Sequence, residues 1–139
     1  MADPLEIMVK QECVGILNEA RVSGYWFGGF QAFANLMTTK EARYGSAVMR
    51  IIIDGFAEFL KAVPKYGDWV RHARSALELE TAIGITQTMR ELFVKSYPGD
   101  ERISLFDFWL GELVRELRDY KAKGAFWHRK PPQQRYLER

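Results

Sequence analysis

Apolar side chains return every three or four positions through most of this chain, and glycine or proline punctuates the pattern wherever it breaks. That period belongs to one face of an α-helix, so the chain is confined to folds made by packing helices together. The first segment is the plainest. Leu5, Val9, Cys13, Ile16 and Ala20 form one stripe, with Met8 and Leu17 beside it. Asp3 stands as a helix cap before Pro4, whose missing N–H costs nothing in a first turn. The spacing predicts a helix over about residues 4–22, ending before Gly24.

The following stretch, Ser23 to Phe30, mixes three glycines with four aromatics and shows no helical period. It reads as a connector whose Tyr25, Trp26, Phe27 and Phe30 are candidate interface anchors. A helical fragment over Gln31–Met37 is expected next. Thr38 with Glu41 then has the spacing of a capping box opening a long helix. From Thr39 to Val63 the set Gly45, Val48, Met49, Ile52, Phe56, Phe59, Leu60 and Val63 keeps the period until Pro64, a rod of about 37 Å. Asp68 is read as the cap of a further helix from Trp69 to the Pro98-Gly99 break, carrying Ala73, Ala76, Leu77, Ile83, Met89, Leu92 and Phe93, with a kink at Gly84, Ile85 and Thr86. Ser104 and Asp107 resemble another capping box, and Leu110, Leu113, Leu117 and Tyr120 continue to Gly124. The expected fold is all-α: an antiparallel helical bundle of about four main helices over residues 1–123, followed by an extended basic-aromatic C-terminal arm over 124–139.

A chain of 139 residues fits one domain, and 47% hydrophobic and 14% aromatic content supplies a core with apolar surface to spare. Cys13 is the single cysteine, so no internal disulfide can form, and its place on an apolar stripe reads as a small buried hydrophobe. Met1-Ala2-Asp3-Pro4 has neither the charged start nor the apolar run of a secretory signal, and Ile51-Ile52-Ile53 is far too short to span a bilayer. Neither export nor a membrane span is expected.

The search for chemistry finds no motif. Neither His72 nor His128 follows a glutamate by three positions, as di-iron bundles require. There is no zinc-type Cys or His spacing and no phosphate-binding glycine loop, and Gly24, Gly28 and Gly29 do not sit between a strand and a helix. Glu112 and Glu116 share a helix face, where solvation explains them better than acid–base work. No enzyme activity, cofactor or metal is expected.

Basic residues are distributed more suggestively than the formal charge of +2 implies. Lys40, Arg43 and Arg50 share one face of the expected long helix, Arg71 and Arg74 follow, and Arg115, Arg118 and Lys121 repeat the spacing. Glu41, Glu112, Glu116 and Asp119 lie among them and would make an ordinary mixed-charge surface. The tail is different: Arg129, Lys130, Arg135 and Arg139 oppose only Glu138, a net +3. Phe126, Trp127 and Tyr136 are interleaved with these bases, and Pro131-Pro132 favours an extended backbone. Such a segment suits a neighbouring subunit or a polyanion, whose phosphates the bases would neutralise while the aromatics stack or pack.

In size, long helices, aromatic richness and the arm-like terminus Phe126 to Arg139, the chain resembles the major coat proteins of filamentous archaeal viruses. The resemblance implies a helical subunit that assembles in many copies, pairs with itself or with a second related coat subunit, and wraps double-stranded DNA in a virion. It rests on no diagnostic motif and carries over no functional residue. The chain also resembles, in size and basic faces, small helical subunits of RNA-guided interference complexes. A protein-interaction adaptor using Tyr25, Trp26, Phe27 and Phe30 stays open beside these readings. The identity of any bound nucleic acid and open-ended against fixed assembly would separate them.

Overall fold

The computed structural model describes residues 3–40, 45–65 and 69–124. Among them it holds five α-helices, α1 (Pro4–Ser23), α2 (Trp26–Lys40), α3 (Ser46–Ala62), α4 (Ala76–Ser96) and α5 (Ile103–Gly124), with a short 3-10 turn at Trp69–His72 and no strand. No helix among the described residues is long and apolar enough to cross a membrane. The expected arm over 124–139 falls, beyond Gly124, outside the described residues.

Helix α1 forms as the sequence predicts. The Asp3 carboxylate accepts from the Leu5 N–H at 2.8 Å, Pro4 takes the first helical position, and Gly24 ends the helix at φ 71°, donating its N–H to the Ala20 carbonyl. Only glycine takes that left-handed conformation at little cost.

The next segment departs from expectation. Ser23–Phe30 is not a connector: only Gly24 and Tyr25 separate the two helices, and α2 begins at Trp26 and runs unbroken to Lys40. Trp26, Phe27, Phe30, Phe33, Leu36 and Met37 all fall on its buried face. Two adjacent glycines cost a helix about 1 kcal/mol each, and burial of this aromatic stripe, worth about 1.5–3 kcal/mol per large side chain, outweighs them. Trp26, Phe27 and Phe30 are at most 8% exposed and belong to the core, which removes them as surface anchors.

Thr38 does not cap a helix either. Its hydroxyl donates backwards to the Ala34 carbonyl at 2.8 Å, inside α2. The expected long helix is therefore divided, with Lys40 ending one helix and Gly45 preceding the next. Pro64 does stop α3, forcing Val63 into extended backbone. Trp69 opens only the 3-10 turn, its indole donating to the Pro64 carbonyl at 3.0 Å. The true start of α4 is Ser75, whose hydroxyl accepts from the Glu78 N–H at 3.3 Å while the Glu78 carboxylate accepts from the Arg74 N–H at 2.6 Å. This is a shifted form of the capping box expected elsewhere, with Glu78 reaching the residue before the cap instead of the Ser75 N–H itself. Helix α4 passes through Gly84–Thr86 as one element. Ser104 and Asp107 form no box: Ser104 donates to the Glu101 carbonyl, and Asp107 binds Arg90 on α4 at 2.6 Å.

Successive helices run in opposite directions. Gly29 of α2 lies against Phe59 of α3 and Gly55 of α3 lies near Phe33 of α2, which fixes that pair as antiparallel. The Tyr97 hydroxyl just beyond α4 donates to Asp54 of α3 at 2.7 Å, and Arg90 with Asp107 ties α4 to α5. Between them runs a column of buried rings. Phe30 meets Phe59 edge to face at 5.0 Å, Phe33 meets Phe56 likewise at 5.2 Å, and Phe106 carries the contact on to Phe93 at 5.0 Å. Trp69 meets Trp109 at 5.4 Å and closes one end of the column. Helix α1 stands at the margin, its main contacts made with α3 and α2.

Candidate nucleic-acid interface

The antiparallel run of α4 and α5 brings the start of one beside the end of the other, and with them a group of cations. Tyr120 donates to the Arg74 carbonyl at 3.4 Å, and the Arg74 guanidinium lies 4.3 Å over the Tyr25 ring. Tyr25 is thus half-buried beneath a cation rather than presented as an anchor. Beside this contact, a groove of about 610 Å³ between the 3-10 turn and α5 is lined by Arg71, Arg115 and Lys123, with Glu112, Glu116 and Asp119 among them. Arg115 is committed to Glu112 three residues earlier, and Lys121 reaches Glu80 at 3.9 Å. Arg71, Arg118 and Lys123 have no ion pair among the described residues, and all three are exposed. These three remain available to an external anion.

Lys123 is a cation that the sequence pattern did not single out, because its position just before Gly124 looks like the end of a helix rather than part of a face. Its signal was its place four residues after Asp119 and seven after Glu116, on the helix face that those residues share with Glu112.

Arg50 belongs elsewhere. It lies 5.6 Å over the Tyr97 ring at the far end of α4, lining a separate groove with Lys95. The 21 residues of α4 put about 30 Å between that end and Arg74. Arg50 and Arg74, named together as basic candidates, therefore stand at opposite ends of α4. Arg102 joins the Arg50 end, forked on Asp100 at 3.1 and 2.9 Å and 4.9 Å over Phe93. That fork holds the Asp100 carboxyl below its usual range, and the bond to Asp54 pushes the Tyr97 phenol up. The Lys40 side chain, Arg43, Arg129, Lys130, Arg135, Phe126, Trp127 and Tyr136 lie outside the described residues.

Cys13 is 4% exposed, and burial pushes its thiol up to about 12, a setting that suppresses the thiolate. Among the described residues no group of three or more His, Cys, Asp or Glu is placed to hold a metal ion. Against models of protein families, curated proteins and solved structures, the chain finds no match.

Proposed function

We propose that this chain is a structural nucleic-acid-packaging protein, a helical coat subunit that assembles in many copies and wraps double-stranded DNA in a filamentous virion. The observation that carries the reading is that Arg71 and Lys123 line one groove at the end of α5, with Arg118 exposed on the same helix, at the point in the chain after which the +3 tail follows. Three cations without an ion pair among the described residues, followed in sequence by four more on an aromatic segment, make a track for a phosphate backbone. The acidic residues between them limit what one subunit neutralises, and the formal charge of +2 is modest for a genome. A second, more basic coat subunit would supply the remainder.

The test mixes purified protein with duplex DNA and follows nuclease protection, filament formation by electron microscopy, and affinity against salt. Filaments that protect duplex, with affinity falling steeply in salt, are expected. Replacing Arg71, Arg118 and Lys123 with alanine should lower the salt slope by about 0.9 for each phosphate that is no longer neutralised. A protein that stays indifferent to DNA overturns the reading. So does a fixed-stoichiometry complex preferring RNA or single strands, which would point to an interference-complex subunit.

A further inference from the structure

The seven large apolar side chains left exposed among the described residues are unevenly placed, and four of them, Ile7, Met8, Val14 and Val22, lie on α1. This helix turns Val9, Cys13 and Ala20 into the core. Beside that buried face it presents a second stripe, Ile7, Lys10, Val14 and Leu17, within a sector of about 80° at 100° per residue. Ile7 is 45% and Val14 51% exposed, so the stripe is apolar yet open to water. Along its edge runs a groove of about 290 Å³ between α1 and α3, with Val14, Leu17 and Ile51 as its apolar centre, Lys10 on one wall, and Asp54 and Glu58 on the other. Its floor is closed by the approach of Gly55 to Cys13, where a Cβ on the glycine would come within 2.7 Å of the Cys13 Cβ.

We infer that this face is the two-fold interface of a homodimer, built by packing α1 of one copy antiparallel to α1 of another. The spacing of the stripe, three then four then three residues, reads the same in both directions. Antiparallel pairing centred at residue 12 therefore sets Ile7 opposite the second copy's Leu17, and Lys10 opposite its Val14. The second copy's Lys10 then enters the groove beside Val14, which the Asp54 and Glu58 wall lines. Lys10 and Glu58 are each without an ion pair among the described residues, so both are free to answer a partner. A two-fold interface must be self-complementary, and an apolar centre with one cationic and one anionic wall satisfies that condition. The inference goes beyond the nucleic-acid reading and does not depend on it.

Sedimentation equilibrium of the purified chain without nucleic acid tests it. The wild-type chain should dimerise, and Val14→Glu, a change at an exposed position, should be monomeric with an unchanged helical circular dichroism spectrum. Lys10→Glu and Glu58→Lys should each weaken the dimer tenfold or more, and the double variant should recover most of the affinity, since exchanging the charges restores the pairing. A monomeric wild-type chain, a Val14→Glu variant that still dimerises, or a double variant no better than either single one would overturn the inference. Because the dimer is measured without nucleic acid, its failure and the failure of the packaging role are read independently.

Discussion

Gly29→Ala should destabilise the protein although it replaces glycine with the best helix former in the middle of a helix. Local propensity alone favours alanine there by about 1 kcal/mol. The added methyl would lie 2.3 Å from Cε1 and 2.5 Å from Cζ of Phe59, well inside ordinary contact. Phe59 has nowhere to retreat, since it is fully buried and held by Phe30 at 5.0 Å, Phe33 at 5.4 Å and Trp26 at 5.9 Å. Relief needs α2 to move away from α3 or several rings to leave their rotamers. Overpacking costs about 1–3 kcal/mol and approaches this short put it in the upper part of that range, so after the gain of about 1 kcal/mol in propensity the net loss should be about 1–2 kcal/mol and the Tm should fall by roughly 3–8 °C. Gly84→Ala is the control: that glycine is exposed in α4 with no atom within 4 Å of the added methyl, and its variant should gain about 0.5–1 kcal/mol. Urea unfolding followed by circular dichroism, at one fixed protein concentration, measures both. A Gly29→Ala variant as stable as the wild-type chain, with Gly84→Ala stabilised, would refute the assignment of Gly29 to close packing.

Ser75→Ala removes the acceptor of the Glu78 N–H and should cost about 1 kcal/mol by the same unfolding assay. Tyr97→Phe deletes the half-buried bond to Asp54 and should cost about 1 kcal/mol while leaving the helical spectrum intact. Cys13 should stay unlabelled by a thiol reagent at pH 8 until denaturant is added, and stoichiometric labelling of the native chain at the rate of the unfolded one would contradict its burial. Because its folded pKa of about 12 lies above the ordinary 9.0, the unfolded chain loses this proton first. The Cys13 contribution to stability is therefore complete below pH 9 and lost as pH rises toward 12, visible as a shrinking difference between the wild-type chain and Cys13→Ala.

How much was legible in the sequence follows from the range of the forces involved. Helix α1 was readable from end to end because its cap, its first-turn proline, its stripe and its terminal glycine are all local, as is the stop that Pro64 imposes on α3. Helical class was readable for the same reason. Helix α2 was not, because local rules count Gly28 and Gly29 as breakers, and only the distant Phe59 explains why a Cβ is excluded at Gly29. Thr38 and Ser104 have the side chains of caps, but whether a hydroxyl caps or bonds backwards depends on where the helix starts, and packing set those starts elsewhere.

The candidate surfaces divide in the same way. Sequence by itself determined that the chain is helical, that its charge is nearly balanced apart from a +3 terminus, and which residues are basic. Tertiary structure alone decided that Trp26, Phe27 and Phe30 are core rather than surface, and that Arg50 stands at the opposite end of α4 from Arg74. It also set Lys10 and Val14 across a groove from Glu58. Period and charge are properties of neighbours along the chain, whereas burial and the meeting of faces depend on residues tens of positions apart that only packing brings together.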